Sequence, residues 1–113
     1  IMEEDASKLS DFRRLMEEIE SIEVVSSWHN NIEIMNKGVS KGKALNNLCK
    51  ILNIKNDEVI AIGDNYNDAS MFQYCGLSVA MENGEDEIKS MAKYVTDTND
   101  NDGVAKAIEH FVL

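Results

Sequence analysis

Two stretches of the chain carry residues able to do chemistry. Gly63-Asp64-Asn65-Tyr66-Asn67-Asp68 sets two carboxylates four positions apart with carboxamides between them. Such an oxygen-rich set suits a hard cation such as Mg²⁺, which prefers oxygen ligands and keeps several waters. On spacing alone, the same residues fit a helix cap and a tight turn equally well. Lys41 is the second feature. It stands at the start of a helix pattern, where the helix dipole disfavours a cation, so a nearby anion would compensate it and phosphate is the obvious candidate. Taken alone, a solvated surface lysine accounts for it as well.

These residues sit within a recognisable order of elements. Ser40 fits an N-cap, and Ala44, Leu45, Leu48, Cys49 and Leu52 then mark a helical stripe ending near Asn53. Glu58 to Gly63 follows as a nearly continuous apolar run, the pattern of a parallel strand covered by helices on both faces. Asp64 then stands at the strand tip, where ligands collect in an open parallel sheet. Asn67 and Asp68 fall where the next helix begins, with backbone amides expected to be free to meet an anion. Asp68–Tyr74 reads as a short helix, Leu77–Met81 as a buried strand, and Glu85–Ala92 as a helix. Tyr94–Thr96 reads as a last strand, and a closing helix is lined by Val104, Ala107, Ile108 and Phe111. From Ser40 onward the order is αβαβαβα, which predicts an α/β three-layer Rossmann-like core on a parallel sheet.

Upstream the grammar differs. Leu9, Phe12, Leu15, Met16 and Ile19 share one helical face, and Ile22 to Asn36 reads as a β-hairpin around His29-Asn30-Asn31. Trp28 and the methionines fall at core spacing, whereas His29 and His110 read as surface groups. The expected boundary is near Lys37-Gly38, giving one unit over residues 1–36 and another over 37–113.

Composition excludes several partners. The 113 residues carry 11 basic and 21 acidic side chains, a formal net charge of -10, so the basic footprint needed for nucleic acid is absent. No apolar run approaches the ~20 residues needed to cross a bilayer, and no secretory pattern opens the sequence. Cys49 and Cys75 read as small buried hydrophobes of a reducing, cytoplasmic compartment. The Ile1-Met2 opening suggests a fragment.

The ordered set of Ser40-Lys41-Gly42-Lys43-Ala44-Leu45, Gly63 to Asp68, Val79 to Gly84, Ala92 to Thr96 and Asp102-Gly103-Val104-Ala105 resembles the haloacid dehalogenase superfamily, and within it the Cof-type phosphatases. The resemblance runs from about Ile32 to Phe111. It implies Mg²⁺-dependent hydrolysis of phosphate esters of small metabolites through an aspartyl-phosphate. Lys41 would hold the phosphoryl group and the nucleophile, and Asn67 would contact the substrate phosphate. Asp64 would ligate Mg²⁺, and Asp68 would support both metal and lysine. Lys43 matches no such role.

One departure is large. The family's first motif, an Asp-x-Asp after an apolar strand, supplies the nucleophile, and its second motif a Ser or Thr; neither is matched here. Asp100 and Asp102 have the spacing but follow a polar loop. The resemblance therefore implies the C-terminal part of a longer phosphatase, with residues 1–36 the trailing piece of an α+β cap. The chain alone is expected to be inactive, and its open sheet edges to invite self-association or pairing with the absent N-terminal segment. A non-catalytic module that binds phosphate or a partner remains the alternative. The phosphorylation domain of a P-type pump shares the Gly-Asp-x-x-Asn-Asp pattern but fits the Gly103-Val104-Ala105 ending less well.

Overall fold

Asp5 starts the first helix because its carboxylate accepts hydrogen bonds from the otherwise orphaned amides of Ser7 and Lys8. The computed structural model describes residues 1–26 and 29–113, and these fall into two compact units, Ile1–Ser40 and Lys41–Leu113. In the first unit, α1 (Ala6–Glu17) precedes β1 (Ile22–Val25) and β2 (Glu33–Asn36). The strands pair antiparallel with Ile22 opposite Asn36 and Val25 opposite Glu33. Ile32 is buried beside them, and its amide and carbonyl bond to the carbonyl and amino group of Ile1. Both helix and hairpin are as the pattern predicts, with the helix ending at Glu17, two residues before Ile19 of the expected face. Trp28, expected in the hairpin and in a core, lies outside the described residues.

The second unit runs α2 (Lys41–Leu52), β3 (Ile60–Gly63), α3 (Ala69–Phe72), β4 (Leu77–Ala80), α4 (Asp86–Met91), β5 (Tyr94–Val95) and α5 (Gly103–Phe111). The alternation expected from the sequence is present. The three strands form a parallel sheet in the order β3-β4-β5, with Gly63 opposite Ala80 and Ala80 opposite Val95. The core is built on small side chains: Ala69, Ala80 and Ile88 cluster, with Phe72 and Ala92 packed against them. Ile88 is fully buried, worth ~1.5–3 kcal/mol relative to exposure. Small residues let α3 and α4 approach the sheet closely, which fixes the strand tips on which Asp64 stands.

Several packing expectations are corrected. On α2, Gly42 and Cys49 form the buried line, while Leu48 and Leu52 of the expected stripe are about half exposed, at 50% and 56%. The helix turns its Gly42–Cys49 side inward because glycine permits an approach that leucine would block. On α5, Ala107 is buried but Val104 and Ile108 are partly exposed. The stretch expected as one helix from Asp68 begins as a 3₁₀ turn at Tyr66–Asp68 and continues as α3 only to Phe72. Cys49 is buried as expected, whereas Cys75 is only half-buried. Its thiol is nonetheless pushed up from the ordinary value, chiefly by desolvation. His110 is exposed as expected, and its ring stacks on Tyr94 with centroids 5.8 Å apart.

Candidate active site

β3 ends in Gly63 because the following turn folds back onto it. A Cβ at position 63 would lie 2.5 Å from the Asp68 Cβ, closer than any side chain tolerates. That approach brings the Asp68 carboxylate under the turn, where its Oδ2 accepts from the amides of Asp64 at 3.1 Å and Asn65 at 3.3 Å. Asp68 is buried, and its other oxygen, Oδ1, accepts from the Lys41 ammonium at 2.5 Å. Lys41 Nζ also donates to Asn67 Oδ1 at 3.2 Å. Asp68 thus supplies the compensating anion that Lys41 requires at the start of α2.

α2 is held there by its second residue. The Gly42 amide donates to Ser70 Oγ at 3.0 Å, and a Cβ at 42 would fall 2.0 Å from the Ser70 carbonyl oxygen. The backbone of α2 therefore rests directly on α3, and Lys41 reaches Asp68 from a helix seated against the turn's own continuation.

Asp64 differs from Asp68. It is exposed, it lines a cavity of about 460 Å³ together with Gly63, Asp68, Met81, Asn83 and Asn99, and its carboxylate has no partner among the described residues. Lys41, Asp64, Asn67 and Asp68 are therefore brought together around one turn, with one carboxylate fully engaged and one open. Of the two amides expected to be free, that of Asp68 is taken, bonding to the Asn65 carbonyl; within the same turn those of Asp64 and Asn65 bond to Asp68 and that of Tyr66 to Asn65 Oδ1. A 3₁₀ turn consumes these donors internally. An anion would meet the ammonium of Lys41 and the carboxamide of Asn67 instead. Lys43, assigned no role, lies exposed on α2.

A cation fits the donor chemistry in a limited way. Among the described residues, no group of three or more His, Cys, Asp or Glu side chains converges to hold a metal. One open carboxylate beside a second suits Mg²⁺, which is commonly held by one or two carboxylates, waters and substrate phosphate. A structural Zn²⁺ site, with its closed set of four ligands, does not fit.

A family model for haloacid dehalogenase-like hydrolases matches residues 1–108. The chain belongs to this family. Curated relatives include a 5-amino-6-(5-phospho-D-ribitylamino)uracil phosphatase of Bacillus subtilis, 45% identical over 81% of this chain and 37% of the relative. A pyridoxal phosphate phosphatase of Escherichia coli is 35% identical over 93% of this chain and 39% of its own length. A solved haloacid dehalogenase-like hydrolase of B. subtilis superposes with a TM-score of 0.88 at 40% identity, covering 98% of this chain and 39% of the other. The chain thus spans less than two fifths of the length of these relatives. The parallel α/β core of this haloacid dehalogenase-like chain agrees with the fold of its solved relatives.

Two contributors escaped sequence reasoning. Gly42 seats α2, and only its place inside a helix, where glycine is unfavourable, signals a packing reason. Glu85 reaches across from the loop after β4 to the Asp64 turn, a separation no local pattern reveals.

Proposed function

We propose that this chain forms the C-terminal part of a Mg²⁺-dependent phosphatase acting on phosphate monoesters of small metabolites. The observation that carries the reading is the convergence of Lys41, Asn67 and Asp68 beside the open carboxylate of Asp64. Residues 1–36 are read as the trailing piece of a cap and residues 37–113 as the core.

In this reading, Lys41 donates to a phosphoryl oxygen while Asp68 keeps the ammonium aimed, and Asn67 orients the same phosphate through its carboxamide. Asp64 is the direct side-chain ligand for Mg²⁺. Asp68 supports the site from behind, since its oxygens already hold Lys41 and two amides. When bound, the cation would supply charge neutralisation to the transferring phosphoryl group, the main catalytic demand of such chemistry. The aspartyl nucleophile is assigned to a part of the protein outside this chain, because no Asp-x-Asp here follows an apolar strand. The outer edge of β3 and the exposed Leu48, Ile51 and Leu52 are where that part would pack.

The test is hydrolysis of a panel of phosphate monoesters by the full-length protein, with Mg²⁺ and with chelator. Expected are chelator-sensitive turnover and a loss of at least a hundredfold in Asp64→Asn and Lys41→Ala. Chelator-insensitive turnover, or full activity in both variants, would overturn the reading. The 113-residue chain alone is expected to show no turnover.

A further inference from the structure

The loop after β4 does more than join a strand to a helix. Glu85 precedes α4 but makes no side-chain capping bond to it. Its carboxylate turns the other way, and Oε2 accepts from the Tyr66 amide at 3.2 Å. Its own amide donates to the Asp64 carbonyl at 3.0 Å. Between them, Gly84 lies so close that an added Cβ would meet the Asp64 carbonyl oxygen at 2.8 Å. The far side of the loop is tied down as well, by the Met81 amide on the Gly63 carbonyl and by Asn83 Oδ1 accepting from the Asn99 amide at 2.8 Å.

We propose that Glu85, with Gly84, is a positioning residue for Asp64, clamping the turn from a loop some twenty positions away. The peptide groups on both sides of Asp64 are then pinned, its amide by Asp68 from within the turn and its carbonyl by the Glu85 backbone amide from without. The Glu85 carboxylate adds the hold on the Tyr66 amide two positions on. With both peptide planes held, the Cα–Cβ direction of Asp64 is set before any ligand arrives, the condition for a site held to the geometry its chemistry needs. What Asp64 then binds rests on the function proposed above; the clamp itself does not. The Tyr66 amide shares its hydrogen with Asn65 Oδ1 at 2.8 Å, so loss of Glu85 loosens the turn without opening it.

The experiment compares the ¹⁵N-labelled chain with Glu85→Ala and Glu85→Gln by two readouts: metal-free hydrogen exchange of the Tyr66 amide, and Mg²⁺ titration followed at the Asp64 and Asn65 amides. Glu85→Ala is expected to speed Tyr66 exchange about fivefold and to raise the half-saturating Mg²⁺ concentration by a similar factor. Glu85→Gln keeps an acceptor and should stay within about twofold of wild type in both, with Val79 and Ile88 amides unmoved in every variant. Unchanged Tyr66 exchange in Glu85→Ala would overturn the clamp. Equal acceleration by Gln would overturn it too, because the effect would then be one of charge. If the wild-type chain gives no Mg²⁺-dependent shift, the metal reading of Asp64 fails while the exchange data still decide the clamp.

Discussion

Replacing Gly42 by alanine should separate the lysine from its partner without touching either. A Cβ at this position would stand 2.0 Å from the Ser70 carbonyl oxygen, 2.4 Å from its carbon and 2.9 Å from a Tyr74 ring carbon. Ordinary contact begins at 3.4 Å, so α2 must withdraw by about 1.4 Å, and two of the three obstructing atoms are backbone that cannot swing aside. Overpacking of this kind costs about 1–3 kcal/mol. Alanine recovers at most ~1 kcal/mol of helix propensity, and less in a first turn. The net expectation is a loss of about 1–2 kcal/mol, read as a lower urea midpoint at unchanged slope. A rigid withdrawal would also stretch the 2.5 Å contact between Lys41 and Asp68 to about 4 Å, the limit of an ion pair. Side-chain nitrogen NMR of Lys41 should therefore show its ammonium exchanging faster with solvent. A variant as stable as the parent, with Lys41 protected as before, would refute the claim that α2 is seated on bare backbone.

Asp68→Asn keeps the shape of a buried acceptor but puts an NH₂ where Lys41 or the Asp64 and Asn65 amides now donate; it should cost about 2 kcal/mol in chemical denaturation. A loss below ~0.5 kcal/mol would mean that the network contributes little. In the loop before α5, the Lys106 ammonium, the Thr98 amide and the Asn101 carboxamide hold the Asp97 carboxyl below its ordinary value of 3.8. A depressed carboxyl adds stability that is present above its unfolded value and is lost as pH falls through the folded one, so this loop should loosen only below about pH 3.8. Lys106→Ala should raise the Asp97 titration midpoint measured by carboxyl ¹³C shifts; an unmoved midpoint would remove Lys106 as the cause.

What could be read from the sequence was what is local. The Gly63–Asp68 turn combines a strand end, a close-approach glycine and a self-capping Asn-x-x-Asp within six residues, so its place at the strand tip was legible. The alternation of helices and strands after Lys41 followed from apolar periodicity. Lys41 was suspect because of its position at a helix start, but only the fold reveals that Asp68 answers its charge. Burial on α2 was misread because periodicity finds an apolar stripe without saying how much of it is covered: Leu48 lies on the stripe and is half exposed, while Gly42 is buried. The Asp68 amide, expected to be free, is taken because the 3₁₀ turn bonds it to the Asn65 carbonyl, a choice between turn types that composition leaves open. Glu85 was illegible because its partner lies in another loop.

The most direct measurement is a titration of the labelled chain with Mg²⁺ and inorganic phosphate together, following the Lys41 ammonium and the amides of residues 63–68. The expected result is a saturable response confined to those groups and abolished in a Lys41→Ala, Asp64→Asn double variant. No response at tens of millimolar ligand, or one that persists in the double variant, would contradict a shared site for phosphate and cation at this turn.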